Sequence, residues 1–315
     1  PILAAADGFV YRVKVQASGY GNVLYVKHPN GYTSLYAHLD RFAPEIEKYV
    51  RENQYAQESF EIELKPEDNR FPVKKGQEIG KLGNSGGSSG PHLHFEIRNS
   101  LTDKMLNPQL FNLPIADKVA PEIRDMKVYF LTDNREVITS KPLSLERDKK
   151  GVIGLEGDTV RFGALRVGFG VKTYDRMNGM NNDNGVYAIE LFADDKLAYD
   201  WRMTELDNEE TRYHNAHIDY PARKRYGAWF HRCFVLPGNF LHNYVRTENL
   251  GGIPLDTEKP VKIRLKVTDA GGNAATLNFW ALRADTLETV QVMPFQYAFD
   301  YQKETSIALD NFNLH

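Results

Sequence analysis

The segment His92-Leu93-His94-Phe95-Glu96-Ile97 is the part of this sequence best equipped for chemistry. Side chains of a β-strand alternate between faces with a period of two. Read as a strand, the segment turns Leu93, Phe95 and Ile97 toward a core and presents His92, His94 and Glu96 on the other face. A second segment, Leu35-Tyr36-Ala37-His38-Leu39-Asp40, divides in the same way, with Leu35, Ala37 and Leu39 inward and Tyr36, His38 and Asp40 outward. If both strands belong to one sheet, three imidazoles meet on one surface. Neutral imidazole is a common Zn2+ ligand, and a histidine beside a bound water is an effective general base near neutral pH. The alternation alone does not distinguish ligand from base.

The elements that must position these residues read as closely spaced strands. Phe9, Tyr11, Val13 and Val15 alternate with Val10, Arg12 and Lys14. Gly19-Tyr20-Gly21-Asn22 is a turn, residues 23–27 a further strand, and His28-Pro29-Asn30-Gly31 a tight turn with Asn-Gly at its tip. Residues 43–70 interrupt this meander and read as an insertion. Pro44 with Glu45 and Glu47 marks a helix start, and Ile46, Tyr49 and Val50 fall at helical spacing, so a short helix is expected, followed by a charged stretch. Strand signals return at 71–73 and 77–82. The loop Gly83-Asn84-Ser85-Gly86-Gly87-Ser88-Ser89-Gly90 then leads directly into Pro91-His92.

In chain order, Ala5-Ala6-Asp7-Gly8-Phe9-Val10, Gly19-Tyr20-Gly21-Asn22-Val23, His28-Pro29-Asn30-Gly31-Tyr32, Leu35-Tyr36-Ala37-His38-Leu39, Val73-Lys74-Lys75-Gly76-Gln77-Glu78-Ile79-Gly80 and Gly90-Pro91-His92-Leu93-His94-Phe95-Glu96 resemble the lysostaphin/LytM-type zinc metalloendopeptidases that cut peptidoglycan cross-links. The resemblance covers residues 1–114. It implies that His94, the second histidine of His-x-His, is a metal ligand, and that His92 is the general base toward the zinc-bound water. It implies that His38 orients that water and steadies the developing oxyanion. It also implies that the remaining two ligands, a His and an Asp, lie upstream of Pro1. Asp7 does not replace them, because it sits in a turn the family also has. The expected activity is zinc-dependent hydrolysis of peptide bonds in peptidoglycan stems or cross-bridges, with the 44–54 helix bordering the substrate groove. The chain as it stands, lacking the upstream ligands, is expected to be inactive.

Asn107-Pro108, Leu113-Pro114 and Ala120-Pro121 mark a linker, after which the pattern is again β. Tyr187, Ile189, Leu191 and Ala193 share one face, as do Val261, Ile263, Leu265 and Val267. Val267-Thr268-Asp269-Ala270-Gly271-Gly272-Asn273 is similar to turns of bacterial immunoglobulin-like modules. The overall expectation is a mainly β protein: an antiparallel β-sheet metallopeptidase domain at 1–114, an immunoglobulin-like β-sandwich at 115–285, and a tail or the start of a further β unit at 286–315. Two clusters in the second part are read as structural. His214-x-x-His217-x-Asp219 has no matching third ligand motif. The oxygen-rich loop with Asp175, Asn178, Asn181, Asn182, Asp183 and Asn184 lacks the EF-hand spacing, and Asn and Asp are ordinary turn formers.

Composition narrows the alternatives. Lys plus Arg number 39 against 42 Asp plus Glu, a net charge of -3, which excludes a general electrostatic grip on nucleic acid. No run of 18 apolar residues suggests a transmembrane segment. The chain begins at Pro1 with neither Met nor signal peptide and is read as the product of trimming or truncation. Cys233 is the single cysteine, so no intramolecular disulfide forms, and its apolar surroundings in sequence predict burial. A peptidoglycan substrate places the protein in the bacterial cell envelope, periplasmic or extracellular, with a cell-envelope protein as a possible partner of the sandwich. Two rival readings stand beside the enzyme: a non-catalytic LytM-like regulator of cell-wall amidases, and a cell-wall-binding protein acting through its sandwich.

Overall fold

The computed structural model describes residues 1–147, 153–157, 159–245 and 247–288. The strand-like pattern expected near 307–315 lies outside them. The chain forms two compact units, one of Pro1–Leu113 with Glu205–Asn208 and one beginning at Pro114. Both are built mainly from antiparallel strands.

The N-terminal unit contains β1 (Ile2–Leu3), β2 (Gly8–Val15), β3 (Asn22–Lys27), β4 (Tyr32–Ala37), β5 (Leu39–Phe42), α1 (Pro44–Ala56), β6 (Ile62–Leu64), β7 (Pro72–Val73), β8 (Glu78–Leu82), β9 (His94–Asn99) and β10 (Met105–Leu106). The main sheet runs β10-β9-β4-β3-β2-β6, with β7 also on β2, and the short strand Glu205–Leu206 extends it beyond β10. A second sheet has the order β1-β8-β5. The principal core lies between these sheets and takes in Val10, Val13, Val15, Leu24, Val26, Tyr36, Leu39 and Ile79. Helix α1 starts at Pro44, whose missing N–H costs nothing in the first turn, and adds Ile46 and Val50 to this core. The charged stretch after it is not plain loop: β6 pairs with β2, and Ile62 and Leu64 enter the same core.

Strict alternation fails at one place in β2. A register shift between Val10 and Arg12 puts Val10 on the same buried side as Val13 and Val15. An extra residue in one strand of an antiparallel pair has this effect. Simple period-two counting therefore places Val10 on the wrong face.

In the second unit, strands Glu122–Leu131, Val137–Leu143, Arg166–Tyr174, His231–Arg232 and Ile253–Pro254 form one sheet. Strands Thr159–Phe162, Ala274–Arg283, Val261–Thr268, Ala188–Ala193, Lys196–Arg202 and Tyr244–Val245 form the other. Both contribute to one core, with Val128, Phe130, Val167 and Phe169 from the first and Ile189, Leu191, Ile263, Leu265, Val267 and Phe279 from the second. The unit is thus a β-sandwich. Its second sheet is mixed, because Thr159–Phe162 runs parallel to Ala274–Arg283. Cys233 is buried, and burial pushes its thiol pKa well up. His217 packs face to face on Trp201, and its Nε2 lies 2.9 Å from Nδ1 of His231. Burial depresses both rings, His231 to about 4. Asp219 instead accepts hydrogen bonds from Lys127 Nζ and Tyr129 Oη at 2.7 and 2.8 Å. The His214-His217-Asp219 motif is therefore divided between separate packing contacts. No helix among the described residues is long and apolar enough to cross a membrane.

Candidate active site

Strands β4 and β9 are antiparallel neighbours, with Ala37 opposite His94 and Leu35 opposite Glu96. The two histidine-bearing segments thus do share a sheet, although their faces differ from a simple alternation. His94 and Glu96 lie on the same side as Leu35 and Ala37, while Tyr36 and Phe95 face the principal core with ring centres 5.4 Å apart.

His38 reaches the site because the strand stops there. It has a φ of 60°, and beyond it the chain enters the other sheet as β5. This left-handed conformation is uncommon for a residue with a Cβ. It is held by the His38 N–H bond to the Tyr20 carbonyl, at 3.0 Å, and by His38 Nδ1, 2.8 Å from the Ser85 carbonyl. The kink brings the three imidazoles together: the His38 ring centre lies 4.8 Å from that of His92 and 5.7 Å from that of His94.

The ring hydrogen bonds assign the protons. A carbonyl oxygen only accepts, so the proton between His38 and Ser85 resides on Nδ1 and leaves Nε2 with its lone pair when the ring is neutral. His92 repeats this arrangement, with Nδ1 2.8 Å from the Gly90 carbonyl and 3.1 Å from Ser88 Oγ. His94 is held by its opposite nitrogen. Its Nε2 lies 2.6 Å from Glu96 Oε1 and donates to that carboxylate, leaving Nδ1 as the available donor atom.

Glu96 anchors a network that sequence reasoning did not assign. It is 8% exposed. Tyr20 Oη donates to Oε1 at 2.7 Å, and Arg98 Nε donates to Oε2 at 2.7 Å. Arg98 also bonds Asp103 at 3.0 Å. Burial by itself raises the Glu96 pKa, but the bonds from His94, Tyr20 and Arg98 outweigh it and hold the group at about 2. Burial and the bond to Glu96 push Tyr20 up to about 12, so its hydroxyl keeps its proton. The Tyr20 ring also stands edge-on against His94, with centres 5.1 Å apart. The signal for part of this was in the sequence: His94, Glu96 and Arg98 are spaced two apart and so share one strand face. Tyr20 carried no such signal, because it reaches Glu96 from a turn remote in sequence.

The glycine- and serine-rich loop is fastened rather than slack. Ser85 Oγ accepts from the Asn22 N–H at 3.0 Å and donates to the Leu39 carbonyl at 2.8 Å. Gly86 has φ +71°, and a Cβ there would stand 2.3 Å from the Gly21 nitrogen. Only glycine fits so close to another backbone. Replacing Gly86 by Ala is expected to lower the melting temperature of the N-terminal unit by at least about 5 °C, corresponding to a loss of at least about 1 kcal/mol. The Gly90→Ala control, with no atom within 4 Å of the added carbon, should stay within about 2 °C of wild type. Calorimetric melting curves of both variants check this.

Metal capacity follows from the donor set. His94 Nδ1 is one prepared donor, with the carboxylate-backed geometry that orients metal-binding histidines. A catalytic zinc needs three protein ligands and an open position. Among the described residues, the one group of three or more acidic, His or Cys donors close enough to hold an ion is Asp117, Asp175 and Asp269, which does not include His94. The residues present therefore do not close a zinc site by themselves.

Residues 1–59 and 60–108 match the profile of Peptidase family M23. The N-terminal unit thus matches this peptidase family over nearly its whole length. The chain is 35% identical over 125 residues to the DD-carboxypeptidase/endopeptidase Mpg of Neisseria meningitidis serogroup B, covering 38% of this chain and 23% of that protein. It is 37% identical over 107 residues to the murein hydrolase activator NlpD of Escherichia coli, covering 34% and 21%. Among solved structures, the catalytic domain of the prophage-encoded M23 protein EnpA from Enterococcus faecalis aligns with a TM-score of 0.26 at 24% identity, over 36% of this chain and 70% of that one. The chain spans about a quarter of the length of these curated relatives. The relatives that this unit resembles are thus named both as a DD-carboxypeptidase/endopeptidase and as a murein hydrolase activator.

Proposed function

We propose that this chain carries the histidine-bearing part of a zinc-dependent endopeptidase that hydrolyses peptide bonds in peptidoglycan stems or cross-bridges. The observation that carries the reading is the opposed proton assignment of the three imidazoles. His38 and His92 each tie Nδ1 to a main-chain carbonyl and keep Nε2 bare, whereas His94 ties Nε2 to Glu96 and keeps Nδ1 bare. Two basic nitrogens and one ligand nitrogen of different type meet within one cluster of rings.

In this reading His92 Nε2 accepts the proton of the attacking water and returns it to the leaving amine. His38 Nε2 accepts a hydrogen bond from that water and so orients it. His94 Nδ1 would supply one ligand to zinc, with the His and Asp that complete the set expected from outside residues 1–315. The murein named for NlpD and the peptidoglycan named for the DD-endopeptidase ShyC of Vibrio cholerae support the substrate class and a location in the cell envelope, periplasmic or extracellular. The sandwich is the candidate surface for an envelope protein partner.

Metal analysis of a chain that includes the preceding residues tests the ligand assignment. About one zinc per molecule is expected in the N-terminal unit, retained in His92→Ala and lost in His94→Ala. Residues 1–315 alone should take up none there. Equal zinc in the wild type and His94→Ala would remove His94 from the ligand set.

A second reading has specific support in the name of NlpD. There the unit is a non-catalytic activator of cell-wall hydrolases. It predicts no zinc even when the preceding residues are present.

A further inference from the structure

Three carboxylates from separate segments meet in the C-terminal unit. Asp117 lies in the stretch leading into the sandwich, Asp175 directly follows strand Arg166–Tyr174, and Asp269 directly follows strand Val261–Thr268. One oxygen of each lies within 4.8 Å of the others. Asp175 and Asp269 are only 1% and 2% exposed. Like charges this close and this shielded repel strongly unless a cation joins them or one of them takes up a proton.

All three take local bonds, Asp175 from the Arg176 N–H. Asp269 accepts from the Asn273 N–H at 2.9 Å and from Asn273 Nδ2 at 2.8 Å. Asp117 Oδ1 accepts from the Val119 N–H at 3.1 Å. Asp175 differs. Its Oδ1 is shut off from solvent and has no hydrogen-bond partner among the described residues. Such an oxygen costs about 1–3 kcal/mol if nothing answers it, and more if it is charged. Burial first, and then the charges of Asp117 and Asp269, push its pKa up to about 6.

The surrounding backbone is already fixed. Asp175 and Asn184 exchange two main-chain bonds, at 2.9 and 2.8 Å, which closes the loop between them. Asn178 of that loop accepts from the Lys118 N–H at 3.0 Å, and Asn273 Nδ2 reaches the Asp117 carbonyl at 3.4 Å. The oxygen-rich loop is therefore no site by itself. Asp183 pairs with Arg124 and Arg176, and Asp175 is the loop's single member of the acidic cluster.

All available donors are oxygens, which select a hard cation. Three carboxylates suit Ca2+, with its six to eight oxygen ligands, better than Mg2+, which keeps several waters and takes one or two carboxylates. We propose that Asp117, Asp175 and Asp269 form a Ca2+ site that pins the segment around Asp117 to two loops of the sandwich.

Calorimetric titration of calcium chloride into the purified chain, with melting curves in calcium and in EDTA, tests the proposal. About one Ca2+ should bind with a Kd between micromolar and millimolar. Melting of the C-terminal unit should rise by about 5 °C or more when calcium is in hundredfold excess over Kd. Asp175→Asn should abolish both effects and melt in EDTA at or above the wild-type temperature, because it removes a buried charge while keeping the shape. Asp117→Asn, at the partly exposed position, should also abolish binding and provides the test if the Asp175 variant does not fold. Absence of binding and of a melting shift at roughly 10 mM calcium overturns the proposal. So do equal binding of magnesium and a uniform loss of stability in both conditions for Asp175→Asn.

Discussion

Replacing His92 by Ala, in a chain that includes the residues before Pro1, should reduce peptide-bond hydrolysis by about 10²–10⁴-fold, the usual contribution of a positioned general base. Folding should hardly change. His92 is exposed, and its ring is held by the Gly90 carbonyl and Ser88 rather than by core packing. A surface substitution of this kind stays within about 0.5 kcal/mol of wild-type stability. His92→Asn sharpens the test. Its side-chain N–H can take over the bond to the Gly90 carbonyl, but it offers no basic nitrogen toward His38. Equal inactivity of the Ala and Asn variants, with unchanged melting and unchanged zinc, assigns the loss to Nε2. Wild-type turnover in either variant would remove His92 from the mechanism.

The second large effect belongs to Glu96. Glu96→Gln replaces an acceptor of three charge-assisted or hydroxyl bonds by a group that accepts on one atom and donates on the other. It leaves Arg98, whose side chain is 5% exposed, with Asp103 as its remaining carboxylate partner. Removing one member of a buried pair costs about 3–5 kcal/mol, and Asp103 places this case at the lower end. The same variant frees the His94 ring to turn or change tautomer, so zinc affinity should fall about 10–100-fold. Urea denaturation and zinc titration read the two effects separately.

Acid provides an independent check on the same residue. The Glu96 pKa is about 2 in the folded protein against an ordinary value of 4.5. As pH falls, the unfolded chain therefore takes up the proton first. The stabilisation from this group is complete above pH 4.5, erodes between pH 4.5 and about 2, and is absent below. A shift of this size corresponds to about 3 kcal/mol. Glu96→Gln should lack this part of the acid dependence. An unchanged acid profile in the variant would contradict the network.

The sequence made much of this site legible and hid the rest for definite physical reasons. His94 and Glu96 announced themselves because period-two spacing is a strong constraint on a strand, whereas His92 lies before β9, in an isolated bridge to Gly83. His38 was legible by type but not by face. Its position depends on a left-handed backbone held by Tyr20 and Ser85, and no alternation rule describes a residue at which the strand ends. Val10 was misplaced for a related reason, a register shift that moves one residue across the sheet. Tyr20 and Ser85 were invisible as site residues because they act through contacts distant in sequence. The added strand at Glu205–Leu206 is a two-residue pairing with β10 and leaves no pattern long enough to read. The C-terminal acidic cluster was hidden in the same way, since two of its three members lie outside the loop that attracted notice.

The role given to these imidazoles is tested most directly by digestion of a purified cross-linked peptidoglycan dimer with the zinc-loaded protein carrying the residues before Pro1, followed by mass spectrometry of the products. One peptide bond should be cut with the gain of one water, and at least about a hundredfold more slowly with His92→Ala. An intact dimer after incubation with folded, zinc-loaded wild type would contradict that role.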